Sequence, residues 1–167
     1  MTEGLVFEPV DLRHAERLFQ ALDFDAVYVY LTTPRPKNFS EVLTWIKRVG
    51  SRSDSESGEV WLNFVMLLDG EVVGRLQATV NVPSAEIAYL LNPGYSGKGY
   101  ATTGTLWLLD HLFQEYGVTQ FWATTDPGNA KSIALLKRCG FKETSLPAEG
   151  LRSYDDGDTV FGLRRFG

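Results

Sequence analysis

Hydrophobic positions along the chain switch between two spacings, and the switches outline its elements. Leu5-Val6-Phe7 reads as a short strand closed by Pro9. Asp11 is then placed to cap a helix in which Leu12, Ala15, Leu18, Phe19 and Leu22 recur at helical spacing. Aromatic residues and the prolines Pro34 and Pro36 make Asp23 to Lys37 an irregular connection. Asn38, followed three residues later by Glu41, has the form of a capping box ahead of a second helix, with Val42, Leu43, Ile46 and Val49 as its buried stripe. The run Ser51 to Gly58 is small and polar throughout and predicts a mobile loop.

Beyond that loop the spacing changes to that of strands. Val60 to Leu68 and Glu71 to Val82 are rich in β-branched and aromatic residues, and Asp69-Gly70 between them is a type I′ hairpin signal. In the second strand Val72, Leu76, Ala78, Val80 and Val82 share one face, and Arg75, Gln77, Thr79 and Asn81 a wetter one. Ala85 to Leu91 follows as a third antiparallel strand, stopped by Asn92-Pro93-Gly94. Thr102 to Tyr116 is helical by its stripe of Leu106, Leu109 and Phe113, with Gly117 as a left-handed cap. Val118 to Thr124 is a strand, Asp126-Pro127 opens a helix through Ile133 and Leu136 that ends at Gly140, and Phe141 to Leu146 and Thr159 to Phe166 are the last strands. The order β-α-α-β-β-β-α-β-α-β-β predicts an α/β fold in which antiparallel hairpins lead into a strand-helix-strand crossover.

Composition narrows the function classes. At 167 residues the chain suits one compact domain, residues 1–167, folding alone or as a homodimer. Sixteen Lys and Arg against twenty-one Asp and Glu give a net charge of -5, the wrong sign for a nucleic-acid partner. The N-terminus has no signal-peptide pattern, and the longest apolar-rich stretch, Val60 to Leu68, is too short to span a bilayer, so no membrane partner is expected. Cys139 has no second cysteine to pair with, which suits a cytoplasmic location. His14 and His111 lack ligand-like partners at a recognised spacing, so no metal is expected, and packing or surface roles are.

The informative stretch is Asn92-Pro93-Gly94-Tyr95-Ser96-Gly97-Lys98-Gly99-Tyr100-Ala101-Thr102, a glycine-rich turn between a strand end and a helix start. Such a turn can aim successive N–H groups at one point, where the unpaired amides and positive end of the helix reinforce them. Glycines also serve simply to shape a tight turn. Two nucleotide motifs fail on spacing: Gly99 rather than Ser or Thr follows Lys98, and Thr102 occupies the third glycine position of the dinucleotide fingerprint.

The turn resembles the acetyl-CoA signature of the GNAT superfamily, Q/R-x-x-G-x-G/A, with Gly97 and Gly99 at its two glycines. Gly94 stands where Gln or Arg is usual, leaving the cradle to the backbone. Asn129 to Phe141 is similar to the superfamily's N-x-x-S-x-x-L-x-x-x-G-F segment, and Ala85 to Leu91 is most like the branch of ribosomal-protein N-terminal acetyltransferases. The resemblance implies a mixed, mostly antiparallel central sheet of about seven strands flanked by about four helices, and transfer of acetyl from acetyl-CoA to an amine. It also implies that Ser96, Gly97, Lys98, Gly99, Tyr100, Ala101 and Thr102 cradle the pyrophosphate, that Tyr89, Leu90 and Leu91 present a backbone edge to the pantetheine amides, and that Asn129 bonds the pantetheine arm. Asn129 equally suits a polar place in the first turn of a helix.

Transfer to an amine needs a neutral nucleophile and a proton donor for the departing thiolate. Glu86 is the candidate base, or else a carboxylate that faces solvent or pairs with Arg75. Ser132 is the candidate donor, or else a helix serine bonded to a carbonyl. The superfamily's tyrosine is replaced by Leu136, so the alternatives to Ser132 are a tyrosine from elsewhere or solvent. Tyr28, Tyr30, Trp45 and the acidic loop Asp155 to Asp158 are expected near the acceptor, which is a peptide N-terminus by the branch resemblance or else a small-molecule amine (polyamine, aminoglycoside or amino acid); the departures at Gly94 and Leu136 leave a GNAT-like module that binds CoA without catalysis as a third reading.

Overall fold

A computed structural model describes residues 4–50 and 58–166; of the loop expected from Ser51 to Gly58, residues 51–57 lie outside the described residues. Strands β1 (Leu5–Pro9), β2 (Val60–Leu68), β3 (Glu71–Asn81), β4 (Ser84–Leu91), β5 (Gln120–Thr125), β6 (Lys142–Thr144) and β7 (Thr159–Arg164) form one sheet in the order β1-β2-β3-β4-β5-β7-β6. All neighbours are antiparallel except β4 and β5, which run parallel.

The helices are α1 (Ala15–Leu22), the short α2 (Asp25–Tyr28), α3 (Phe39–Val49), α4 (Tyr100–Tyr116) and α5 (Ala130–Arg138). Apolar stripes of α4 and α5 (Leu108, Leu112, Leu135, Leu136) bury against one sheet face through Met66, Leu76, Ile87, Phe121 and Phe161. On the opposite face α1 and α3 bury Leu18, Leu22, Val42 and Ile46 against Val65, Leu67 and Val72. Packing apolar helix stripes on both faces removes the sheet from water, the main favourable contribution to folding.

Most local signals act as the sequence indicates. Asp69 (φ 49) and Gly70 (φ 83) form the left-handed pair of the β2–β3 hairpin. Gly117 (φ 72) ends α4, its N–H reaching the carbonyls of Leu112 and Phe113. Asp11 accepts from the Arg13 N–H, while His14, buried, accepts the Asp11 N–H at 3.0 Å through Nδ1. Asn38 caps α3 through the Glu41 N–H, but the Glu41 carboxylate reaches back to the Lys37 N–H rather than to that of Asn38.

Four expectations need correction. The connection from Asp23 to Lys37 contains the single-turn helix α2. Asp126 does not cap α5: its side chain takes the Gly128 N–H in a tight turn, and Asn129 becomes the cap. The strand from Phe141 is only Lys142–Thr144 long, pairing with β7 alone at the sheet edge. Val72 does not share a face with Leu76. Opposite Met66 and Leu67 stand Gly74 and Val72, so Val73 is an extra residue, and this β-bulge resets the alternation. Val72 therefore joins the α1–α3 core, whereas Val73 joins Leu76 under α4.

The bulge also brings two backbones together. A Cβ built on Gly74 would lie 2.4 Å from the Leu90 carbonyl oxygen and 2.6 Å from Met66 Cε. Met66 can move; the β4 carbonyl cannot without parting the ladder. Gly74→Ala is expected to lower unfolding free energy by roughly 1–3 kcal/mol, the usual cost of overpacking, as read from urea denaturation. An unchanged midpoint would show that β3 and β4 separate there at no cost.

Candidate active site

Strands β4 and β5 pair only at Ser84↔Gln120, Ala85↔Phe121 and Glu86↔Trp122, and then diverge. From Ile87 to Leu91 the β4 edge that would face β5 has no strand partner among the described residues, although its other edge stays paired with β3. Tyr89, Leu90 and Leu91 lie on this open length, so the backbone places them where the resemblance puts the pantetheine edge. Side chains alternate across it: Ile87, Tyr89 and Leu91 point to the α4–α5 side, and Glu86, Ala88 and Leu90 to the α1–α3 side.

At the mouth of this gap the glycine turn leads into α4. Asn92 takes the Gly94 N–H at 2.7 Å, and Ser96 Oγ donates to the Pro93 carbonyl at 2.9 Å, fixing the approach. Gly97 (φ 77) and Gly99 (φ 86) then adopt the left-handed conformation, and a Cβ on either would meet nothing within 4 Å. Their requirement is conformational, and the space beside them is open. Among the described residues, none of the backbone N–H groups of Gly97, Lys98, Gly99, Tyr100, Ala101 and Thr102 meets an acceptor. Six such donors at the positive end of a 17-residue helix match an anionic group such as a pyrophosphate. Helix α4 begins at Tyr100, two residues before the expected start, so Tyr100 and Ala101 donate from its first turn.

Arg138, unmarked by any motif, adds a cation here: its Nη2 donates to Thr102 Oγ1 at 3.3 Å, linking α5 to the start of α4. Its signal in the sequence was a basic residue in the last turn of α5, which reads equally as a helix-end charge.

On the α5 side of the gap Tyr89 and Ser132 come together. Burial pushes the Tyr89 phenol up, partly opposed by the neighbouring Ser132 hydroxyl and by the nearby Arg138 guanidinium. Tyr89 arrives beside Ser132 from β4, a juxtaposition that only the fold creates. Asn129 caps α5, its Oδ1 accepting the Ser132 N–H at 3.2 Å, which leaves its amide N–H₂ available. Cys139 is buried, and its thiol is pushed up by burial.

The α1–α3 side is differently furnished. Glu86 does not pair with Arg75, which stands opposite Leu90, two register steps of side chains from the Thr79↔Glu86 pair. Its carboxylate instead accepts the Arg152 N–H (3.1 Å), the Ser153 N–H (3.0 Å) and the Ser153 hydroxyl (2.9 Å). Beside it the buried Glu59 forms a two-point ion pair with Arg152, at 2.7 and 2.8 Å. These bonds hold the β6–β7 loop over the sheet, and Thr32 Oγ1 donates to Asp155 at 2.8 Å from the other side. A groove of about 630 Å³ runs under the loop, lined by Glu59, Thr79, Asn81, Glu86, Trp122 and Arg152 among others. Further along, Trp45 of α3 lies 4.6 Å from Arg75 and Tyr28 of α2 is close to it, while Tyr30 approaches Gly128.

No helix among the described residues is long and apolar enough to cross a membrane, and no group of three or more His, Cys, Asp or Glu among them is placed to hold a metal ion. His111 is stacked on Trp107 at 4.9 Å, in an aromatic cluster with Phe64.

Comparison with known proteins agrees with this geometry. Residues 4–142 match the acetyltransferase (GNAT) domain family. The uncharacterized N-acetyltransferase p20 of Bacillus licheniformis is 26% identical over 157 residues, covering 92% of this chain and 85% of p20. The uncharacterized N-acetyltransferase YnaD of Bacillus subtilis (strain 168) is 33% identical over 57 residues, 34% of each chain, so that match spans about a third of YnaD. RimL, the ribosomal L7/L12 alpha-N-protein acetyltransferase in complex with coenzyme A, has the same fold at a TM-score of 0.82 and 17% identity, covering 98% of this chain and 95% of RimL. With the family match spanning most of its length, the chain belongs to the GNAT family and is an acetyl-CoA-dependent N-acetyltransferase.

Proposed function

We propose that the acceptor is a peptide α-amine, which reaches the β4–β5 gap from the α1–α3 side while acetyl-CoA enters from the glycine turn. The observation that carries this reading is the state of the acidic groups in the acceptor groove. Glu59 is held by the Arg152 guanidinium, and three donors already occupy Glu86. A polyamine or aminoglycoside, with several cationic amines, needs several carboxylates free to face them; of those lining the groove Glu59 is neutralised and Glu86, though still charged, has its oxygens occupied by uncharged donors, which leaves Glu149. A peptide presents one ammonium followed by amides that hydrogen-bond to a strand-lined groove.

Acetyl-CoA supplies the acetyl group as a thioester, so that a C–N bond forms to the amine as the C–S bond breaks and the sulfur takes a proton. The six N–H groups from Gly97 to Thr102, with Lys98 and Arg138 near them, hold the pyrophosphate. The open edge from Ile87 to Leu91 and the Asn129 amide orient the pantetheine. Tyr89 and Ser132 lie where a hydroxyl donates to the leaving sulfur, and burial keeps the Tyr89 phenol protonated for that purpose. Of the two readings of Glu86, the three donors favour positioning: it anchors the acceptor wall, and the amine proton passes to water.

Each part has its measurement. Saturating CoA should raise Tm by mass action, and Gly99→Val, a branched residue at φ 86, should remove the shift. A retained shift in that variant moves the pyrophosphate site elsewhere. Tyr89→Phe should lower kcat roughly tenfold or more with little change in the Kd for CoA. Glu86→Gln should instead raise the acceptor KM and keep the acid limb of the kcat profile; loss of that limb would make Glu86 the base. The acceptor itself is decided by turnover against N-terminal peptides of increasing length, spermidine and an aminoglycoside. Rates should rise with peptide length as remote contacts are used at the transition state. An equal or greater rate with either small amine would replace the peptide by that class.

A further inference from the structure

Arg75 is a cation of the acceptor face to which the described residues supply no anion. Its neighbour Arg35 is matched by Asp23 and Asp25, and Arg152 by Glu59. Arg75 makes a hydrogen bond from Nη1 to Gln77 Oε1 at 2.8 Å, and lies 4.6 Å over the Trp45 ring. Among the described residues no carboxylate comes within ion-pair distance of it. Burial pushes the guanidinium down to about 10, so it is still cationic at pH 7. Arg75 is half-buried, and holding a charge even partly away from water without a counter-charge is costly.

Its place in the sheet suggests that use. Arg75 stands opposite Leu90 and Gln77 opposite Ala88, on the face that carries Glu86. Ala88 is exposed just past the last β4–β5 pair, where the gap opens. Two strand steps separate Arg75 from Gln77, roughly 7 Å. The Arg75 side chain extends along this row toward the gap, meeting the side chain of Gln77 opposite Ala88. The Nη2 and Nε edge, not engaged by Gln77, offers the paired donors that match a planar carboxylate. Asn63, opposite Gln77, has a buried Oδ1 without a donor among the described residues and continues this polar row.

We infer that Arg75 is a specificity residue that binds a carboxylate of the acceptor, so that the favoured substrate is an amine with an acidic group within a residue or two of its nitrogen. This inference rests on the acceptor entering from the α1–α3 side. The carboxylate has two sources, an Asp or Glu side chain near a peptide N-terminus or the α-carboxylate of a free amino acid.

The test compares kcat/KM for peptide amides carrying Asp or Asn at the first and second positions, and for free alanine against alaninamide. Wild type should favour the acid over its amide by roughly ten- to a hundredfold, the effect of one charge-assisted pair. The peptide arm or the alanine arm shows which source is read. Arg75→Met should bring the ratio to about one, and Arg75→Lys should keep part of it. A wild-type ratio near one in every arm, or a full ratio surviving in Arg75→Met, overturns the inference. If Arg75→Met does not fold, as judged by the absence of a cooperative thermal transition, the wild-type ratio together with that of Arg75→Lys decides. Should no acceptor be turned over although acetyl-CoA binds, the peptide reading has failed separately. Calorimetric titration of the CoA-bound protein with the Asp and Asn peptides then decides the role of Arg75: tighter binding of Asp supports it, and equal binding overturns it.

Discussion

A strand that parts from its neighbour leaves backbone donors and acceptors which must be satisfied by something, since buried unpaired peptide groups are costly. In this chain β4 loses β5 after Glu86, and the whole site is arranged around that loss. The opening cannot close, because β5 is held on its far side by β7 over its full length and β4 is held by β3. A ligand with peptide-like amides can complete the edge, and the glycine turn at the mouth supplies donors for its anionic end.

The two sides of the gap serve different chemistry because strand residues alternate. Tyr89 points among α4 and α5 and meets Ser132, on the side of the departing sulfur. Glu86, Ala88 and Leu90 point the other way, toward α1–α3 and the loop tied down by Glu59 and Glu86. One strand thus presents consecutive residues to opposite sides of the gap. The bulge at Val73 sits next to this arrangement: it lets Gly74 approach Leu90 and sets Arg75 on the acceptor face beside it.

The interactions around Glu86 and Arg75 show how pairing decides role. Both are charged residues on one face, and pairing them across the hairpin is the simplest reading of their composition. The register instead sets them apart, so that Glu86 is consumed by Arg152 and Ser153 while Arg75 keeps its charge unmatched among the described residues.

The sequence by itself determined what depends on neighbours along the chain. The Asp69-Gly70 hairpin, the Gly117 cap and the left-handed Gly97 and Gly99 are local backbone requirements, legible because few residue types meet them. Periodicity placed the strands and most of the helices for the same reason, and motif spacing marked the glycine turn between β4 and α4. Tertiary structure alone decided the rest. An extra residue in a ladder has no local signature, so the turn of Val72 away from Leu76 could not be read. The meeting of Tyr89 with Ser132, of Glu86 with a loop 66 and 67 residues away, and of Arg138 with Thr102 36 residues away depends on sheet order and register. The acceptor side is built from such distant contacts, whereas the cofactor turn is built from consecutive ones, and that difference set the limit of what could be read before the chain was folded.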